Sequence, residues 1–350
     1  MRAWVMTEPG GPCEKRELPL PEPLAGEVVV EVAGCGVCHT DISFLYLGVK
    51  TRQAPPLVLG HEISGIVVEA AEGLDPSIVG RSVLVPAVLP CGKCELCRAG
   101  HRRICGAQIM PGNDRHGGFA SHVVVPAEFL CPVPRTLLTR QELWELAIVS
   151  DAVTTPFQAV LRSGLAPGEL AIFVGVGGIG IHGTQIAAAV GAKVVALDVD
   201  PAKLDLASRH GAHATINVAG LESKEIRNRI KEEVKRIGGP GARWRIFETS
   251  GARAGQEIAW SLLGHGAHLS IVGFTMEKTE VRLSNLMAFD ASISGNWGCD
   301  PLLYPEVLAW IAEGRIEVSP FVEKHPLDEI NQVLDAAHHG RLSRRAVLVP

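Results

Sequence analysis

The sequence predicts an α/β protein of two unlike parts: a β-rich part formed by both chain ends, and a doubly wound, parallel-sheet part between them. Three observations carry this. Up to about residue 150, short apolar runs are broken repeatedly by Pro and Gly, the pattern of a twisted, barrel-like sheet with long loops. From residue 170 onward, apolar strands alternate with amphipathic helices, the βαβ rhythm of a parallel sheet covered on both faces. Finally, 350 residues with 47% hydrophobic side chains can bury two cores.

In chain order, strands are expected over 28–32, 57–59, 63–69, 82–86 and 122–126. In the middle part they are expected over 170–174, 193–197, 245–249 and 267–273, with a last one over 291–295. The apolar spacing places helices over 179–190, 202–210 and 222–237, and a further helix between 249 and 267. After about 296 the chain is expected to return to the first part and end in a strand over 346–349. The resulting division is 1–152, 153–296 and 297–350, the first and third segments forming one domain.

With a net charge of −5, the chain lacks the basic footprint of a nucleic-acid binder. The start, MRAWVMTEPGGP, has no charged segment leading into an apolar run, so no signal peptide is expected. The most apolar stretch, 170–189, is interrupted by glycines, His182 and Gln185 and reads as a buried strand and helix, so no membrane partner is expected. Nine cysteines, an odd number, in such a chain argue for metal binding or core packing over a disulfide framework, and for a cytoplasmic location.

Gly175-Val176-Gly177-Gly178-Ile179-Gly180 follows an apolar strand and opens a helix, which fits the G-x-G-x-x-G dinucleotide turn in its required context. Gly175 allows the tight turn, Gly177 lets the backbone approach a pyrophosphate, and Gly180 lets helix and strand pack closely. The free N–H groups of the helix start then face the phosphate. Asp198 ends the next strand, where a carboxylate accepts hydrogen bonds from ribose hydroxyls and repels a 2′-phosphate, which favours NAD over NADP. Lys203 lies within reach of the same ribose. The alternative, glycines that only shape a βα turn, leaves the acidic residue in register unexplained.

Cys91-x2-Cys94-x2-Cys97-x7-Cys105 is the most specific pattern in the chain. Four thiolates in so short a loop suit a closed, tetrahedral structural zinc. The loop is polar and Gly-rich, so it draws its shape from the metal. An iron–sulfur cluster is the alternative. A second set is dispersed: Cys38 in GCGVCHTD, His61 and Glu62 in GHE, and Asp151 in DAVTTP. A catalytic zinc takes three protein ligands and leaves one position open. Taken singly, a Cys or His in apolar surroundings is usually packing, and an Asp before a helix is usually an N-cap.

Together these residues resemble the zinc-containing branch of the medium-chain alcohol dehydrogenases. The resemblance spans essentially the whole chain and rests on GCGVCHTD, GHE, the four-cysteine lobe, GGFAS at 117–121 and GVGGIG. It implies a GroES-like catalytic domain, a central Rossmann domain, an active site in the cleft between them, and two Zn²⁺ and one NAD per chain. It implies that Cys38 and His61 bind the catalytic zinc, with Asp151 standing where most members carry Cys. Asp151 keeps the charge but offers hard oxygen for soft sulfur, and whether it or Glu62 is the third ligand is open at this point. Glu62 resembles a glutamate that approaches the metal during ligand exchange. Asp41 resembles the partner that fixes the His61 tautomer. Thr40 resembles the hydroxyl that takes the substrate proton, with Ser43 where the relay often ends in His. His39 and Arg345 resemble contacts to the cofactor pyrophosphate.

The activity implied is oxidation of a secondary alcohol to a ketone by an NAD-dependent dehydrogenase, with a dimer or tetramer paired through the strand at 291–295. Within the branch, 110–119 and 150–156 resemble the 6-hydroxycyclohex-1-ene-1-carbonyl-CoA dehydrogenases of anaerobic aromatic degradation. That resemblance implies a cyclic hydroxyacyl-CoA substrate oxidised to the 6-oxo product, with Lys50, Arg52 and Arg115 as candidate cations for its phosphates. A simple secondary alcohol or polyol fits the same motifs. A zinc-free enone reductase would lack the thiolate lobe and the Cys38/His61 pair. A non-catalytic NAD-binding protein would have no use for an open metal site.

Overall fold

The computed structural model describes residues 1–350. The chain forms two compact units, Met1–Thr154 with Gly298–Pro350, and Thr155–Trp297.

The first unit begins with β1 (Arg2–Met6), β2 (Glu14–Glu17), β3 (Glu27–Gly36), α1 (His39–Leu45), β4 (Leu57–Val58), β5 (Glu62–Ala70) and β6 (Ser82–Val85). The short α2 (Glu95–Arg98), β7 (His122–Pro126) and β8 (Cys131–Pro132) follow. β2, β1 and β4 form a small antiparallel sheet. β3 is the hub of the larger one: it pairs antiparallel with both β5 and β7. Alternation places Val123 and Val125 of β7 inward, beside Val28, Val30, Ile63, Val67, Val83 and Val85. β5 approaches β3 so closely at Gly65 that an added Cβ would lie 2.2 Å from the Glu31 carbonyl oxygen.

The second unit is built from α3 (Thr154–Arg162), whose first residue belongs to the first unit, then β9 (Leu170–Val174), α4 (Gly180–Ala189), β10 (Lys193–Asp198), α5 (Pro201–Arg209) and β11 (Ala214–Asn217). It continues through α6 (Ser223–Arg236), β12 (Arg245–Glu248), α7 (Arg253–Ser261), β13 (His268–Ile271), α8 (Ser284–Phe289) and β14 (Ser292–Gly295). All six strands are parallel, in the order β11-β10-β9-β12-β13-β14. That is the doubly wound order, with its switch point between β9 and β12. β9 is buried along its whole length, as a central parallel strand covered on both faces must be. Ile172 faces the core of Val195, Ile216, Ile230 and Ile246, while Phe173 stacks on Phe247 with ring centroids 4.6 Å apart.

The chain end returns to the first unit as α9 (Tyr304–Ala312), β15 (Val322–Pro326), α10 (Ile330–His338) and β16 (Arg345–Val349). β15 and β16 are parallel, and β16 pairs antiparallel with β3, Val347 opposite Gly36. α10 buries Ile330, Val333 and Leu334 in the same core as β3 and β5. Asn331 bonds both backbone groups of Cys13, accepting its N–H at 2.8 Å and donating to its carbonyl at 2.9 Å. No helix is long and apolar enough to cross a membrane.

The β3–β5 approach yields a stability prediction. Gly65→Ala drives a methyl into backbone that cannot yield and should cost about 1–3 kcal/mol. Gly241→Ala, with nothing within 4 Å of the added atom, should be neutral. Urea denaturation of the two variants beside the parent checks both outcomes.

Candidate active site and metal centres

The four-cysteine lobe lies between β6 and β7. Cys94 Sγ is 3.4 Å from Cys97 Sγ and 3.7 Å from Cys105 Sγ, and Cys105 Sγ is 3.5 Å from Cys91 Sγ. Four metal–sulfur arms of about 2.3 Å in a tetrahedron place sulfurs ~3.8 Å apart, so the lobe has the shape of a zinc site. Backbone N–H groups of Lys93 and Cys94, with the Cys105 side chain, pull the Cys91 thiol down to about 6. Backbone N–H of Cys97 lowers Cys94 likewise. Burial and the neighbouring sulfurs push Cys97 up to about 12. The lobe thus supplies both thiolate-stabilising dipoles and crowded sulfurs that a divalent cation would relieve.

The second cluster gathers Cys38, His61, Glu62 and Asp151, with one ligand atom from each lying within 4.8 Å of the others. Cys38 precedes α1, and Asp41 in the first turn of that helix accepts the Cys38 N–H at 3.0 Å. The other Asp41 oxygen accepts the Gly60 N–H at 3.1 Å and lies 3.4 Å from His61 Nδ1. One buried carboxylate therefore ties the Cys38 turn to the His61 turn. Asp151 follows a 3-10 turn over Glu145–Ser150, with its Oδ2 3.5 Å from His61 Nε2 and 3.8 Å from Cys38 Sγ. Glu62 opens β5, and its carboxylate fills the space a side chain at Gly36 would occupy: an added Cβ there would lie 2.2 Å from Glu62 Oε2.

These distances suit a shared cation better than direct bonding. Neither ring nitrogen of His61 has an aligned hydrogen-bond partner, although the ring is buried among carboxylates. Burial alone would favour the neutral imidazole; the charges of Asp41 and Cys38 and contacts to Asp151 and Asp41 outweigh it and raise the His61 pKa well above its ordinary value. The site draws positive charge to this point. The separations of 3.5 Å from His61 Nε2 and 3.8 Å from Cys38 Sγ to the Asp151 oxygen match the edges of a tetrahedral Cys/His/Asp zinc site. The residues therefore fit a zinc ion.

The two candidate carboxylates have different surroundings. Glu62 is fully buried and takes both contacts from Arg345, Nε to Oε2 at 2.8 Å and Nη2 to Oε1 at 2.5 Å. Burial still pushes the Glu62 pKa up, against the guanidinium. Despite burial, the charges of Glu62 and Cys38 raise the Arg345 pKa further. Sequence reasoning placed Arg345 at the cofactor phosphates and missed its pairing with Glu62. The pairing follows from register, since β3 holds Gly36 between Glu62 of β5 and Val347 of β16.

Thr40 Oγ1 lies 3.7 Å from Cys38 Sγ, at the edge of the cluster. Ser43 is buried, and its hydroxyl donates to the His39 carbonyl at 2.8 Å, one helical turn back. His39 is exposed at the start of α1; partial burial of its ring, with the positive charges of Arg345 and His338, lowers its pKa. Of the candidate CoA-binding cations, Arg52 pairs with Asp114 at 3.0 Å and Arg115 with Glu27 at 2.8 Å. Lys50 is exposed.

In the second unit the glycine turn separates what the fold needs from what it leaves open. Gly175 has φ +88°, and a Cβ there would lie 2.6 Å from Ser250. One at Gly180 would lie 2.0 Å from the Gly175 carbonyl oxygen. At Gly177 an added Cβ would meet nothing within 4 Å, so the protein's own packing does not require a glycine there. That open cradle suits a pyrophosphate. Gly178 beside it is exposed. Asp198 Oδ2 accepts the Val176 N–H at 2.8 Å and Oδ1 the Asp200 N–H at 3.0 Å, which fixes the carboxylate at the mouth of the turn. Lys203 is exposed on α5.

Sequence reasoning also missed Ser150 and Tyr304. Ser150 Oγ donates to the Ile63 carbonyl at 2.8 Å, joining the Asp151 segment to β5, and the buried Tyr304 hydroxyl donates to the Ser150 carbonyl at 2.5 Å. No local pattern marks contacts between residues this far apart in sequence.

Comparison with known proteins agrees with this geometry. Residues 24–135 match the family described as alcohol dehydrogenase GroES-like domain, and residues 178–313 the family described as zinc-binding dehydrogenase. An alcohol dehydrogenase of Geobacillus stearothermophilus is 32% identical over 349 residues, covering 99% of this chain and 98% of that one. The crystal structure of an alcohol dehydrogenase from the hyperthermophilic archaeon Aeropyrum pernix superposes with a TM-score of 0.88 at 30% identity, over 100% of both chains. That of a zinc-binding dehydrogenase from Sinorhizobium meliloti 1021, bound to NADP, gives 0.85 at 26% identity, over 100% of this chain and 99% of that one. This chain belongs to the zinc-type medium-chain alcohol dehydrogenase family, oxidoreductases acting on CH–OH groups.

Proposed function

We propose that this chain is an NAD-dependent zinc dehydrogenase that oxidises a secondary alcohol to a ketone. The observation that carries the reading is the Cys38/His61/Glu62/Asp151 cluster, whose ligand atoms all lie within 4.8 Å of one another around a buried imidazole with no aligned hydrogen bond at either ring nitrogen. Cys38, His61 and Asp151 would hold the catalytic zinc, and Cys91, Cys94, Cys97 and Cys105 the structural one. Glu62, engaged by Arg345, stays outside the resting ligand set. Zinc, when bound, supplies a Lewis acid that stabilises negative charge on the alcohol oxygen, and NAD supplies the hydride acceptor.

The chain's own residues do the rest. Asp41 orients the His61 ring and fixes the Cys38 turn. Thr40 would take the alcohol proton while passing its own hydroxyl proton toward the cofactor ribose and on to water. Arg345 holds the Glu62 carboxylate in place, and with His39 it would contact the cofactor phosphates. Gly177 and Gly178 leave room for the pyrophosphate, while Asp198 and Lys203 take the adenosine ribose. The fixed Asp198 carboxylate would repel a 2′-phosphate, hence NAD, although one relative was solved with NADP.

A cyclic hydroxyacyl-CoA is a finer reading of the substrate, resting on 110–119 and 150–156. Arg52 and Arg115 would each have to be shared with a carboxylate, Asp114 and Glu27, so a simple secondary alcohol is the first substrate class to test. Pairing of two chains through β14 is favoured by an edge strand whose Ile293 is exposed, with Leu283 exposed at the N-cap of α8 and Met287 exposed on that helix, just before it. Nine free thiols favour a reducing, cytoplasmic setting.

Three outcomes are expected. Cys38→Ala should lower zinc from two ions per chain to one and reduce kcat/KM by at least about a thousandfold (~4 kcal/mol), read by metal analysis and steady-state kinetics; two ions retained would contradict the ligand set. Asp198→Ala should cut the NAD-over-NADP ratio of kcat/KM by about tenfold or more; an unchanged ratio would remove Asp198 from cofactor choice. In a screen following NADH absorbance, simple secondary alcohols should turn over at least as well as cyclic hydroxyacyl-CoA esters, and a clear preference for the esters would reverse that order.

A further inference from the structure

We propose that Tyr304 is a positioning residue for Asp151, setting where that carboxylate meets the catalytic metal; this rests on the reading of Asp151 as a ligand. Tyr304 is fully buried at the start of α9. Its hydroxyl donates to the Ser150 carbonyl at 2.5 Å and accepts the Ala87 N–H at 3.3 Å. The same N–H lies 3.3 Å from the Ser150 carbonyl oxygen. These three groups close a triangle on the peptide that joins Ser150 to Asp151. From the other side, Ser150 Oγ donates to the Ile63 carbonyl at 2.8 Å, in the strand that Glu62 opens. The Thr154 hydroxyl lies 3.4 Å from the Asp151 carbonyl oxygen and also contacts the Tyr304 hydroxyl.

This clamp answers a geometric need. Asp151 lies outside helix and strand, with φ −144° and ψ −61°, so no ladder fixes its Cα. Its carboxylate stands on a single methylene, and metal–oxygen distances near 2.0–2.2 Å leave little tolerance. Holding the peptides on both sides of Asp151, at the Ser150 carbonyl by Tyr304 and at the Asp151 carbonyl by Thr154, restrains φ and with it the direction in which the short side chain leaves the backbone. Phe would fill the same volume, and a buried hydroxyl is costly unless bonded. This one is bonded at the peptide that carries the ligand.

The test is a double-mutant cycle on the full chain after chelator treatment, using Co²⁺ as the probe and reading both its affinity and the visible absorption of the bound ion. Tyr304→Phe should weaken Co²⁺ binding by about ten- to a hundredfold and shift the absorption. In the Asp151→Asn background the same change should alter affinity by less than about twofold, because the group it positions is already impaired. Equal effects in both backgrounds, or an unchanged affinity and spectrum for Tyr304→Phe, would overturn the positioning role while leaving the ligand reading intact. If Asp151→Asn alone changes neither affinity nor spectrum, the ligand reading fails and the proposal with it. Should Tyr304→Phe not fold, Thr154→Val is carried through the same cycle, with a weaker effect of the same kind expected and an equal effect in both backgrounds again overturning the role.

Discussion

Cys38, Glu62 and Asp151 crowd around one embedded imidazole, with Asp41 directly behind it, at a point almost sealed from solvent. Such a gathering of negative charge is stable only if positive charge sits within it. Arg345 provides part of that charge, paired to Glu62. At the His61 ring burial favours the neutral form, and the charges of Asp41 and Cys38 with the contacts to Asp151 and Asp41 outweigh it and raise the pKa well above its ordinary value. A divalent cation meets the same demand and satisfies all the donors together. Much of the first unit can be understood as the means of assembling these groups: Asp41 caps α1 and bridges to Gly60, Gly36 leaves room for Glu62, and β16 brings Arg345 back from the chain end.

The second unit solves a different problem, binding a polyanion with backbone. Gly175 and Gly180 are required by its own packing, Gly177 is not, and Asp198 closes the turn by accepting the Val176 N–H. The four-cysteine lobe is different again. Its sulfurs already lie near tetrahedral spacing, and its polar loop has little core of its own, so its metal is structural in the sense that it replaces packing.

Local signals made most of the parallel-sheet unit legible in the sequence. The expected strand at 170–174 is β9, and helices over 179–190 and 222–237 appear as α4 and α6, shortened by a residue at each end where helix termini fray. β11 escaped because four residues ending in a polar Asn make a weak strand pattern. In the first unit, β7 was legible from its alternation, whereas β1, α9 and β15 were not, because their character depends on partners far away in sequence. At the site, the same division holds. The cysteine lobe can be read from its spacing, whereas Cys38 and His61 stand out only through the family resemblance of the blocks that hold them. The partners that orient them, Arg345 on Glu62 and Tyr304 behind Asp151, exist only once the chain end has folded back.

The most direct measurement of the central claim is an anomalous difference map at the zinc absorption edge from crystals of the full chain. The account predicts two peaks per chain. One lies amid the four lobe sulfurs, and the other lies about 2.0–2.3 Å from Cys38 Sγ, His61 Nε2 and an Asp151 oxygen, with Glu62 still on Arg345. A single peak, confined to the lobe, with Cys38 and His61 bonded to something other than a metal, would contradict it.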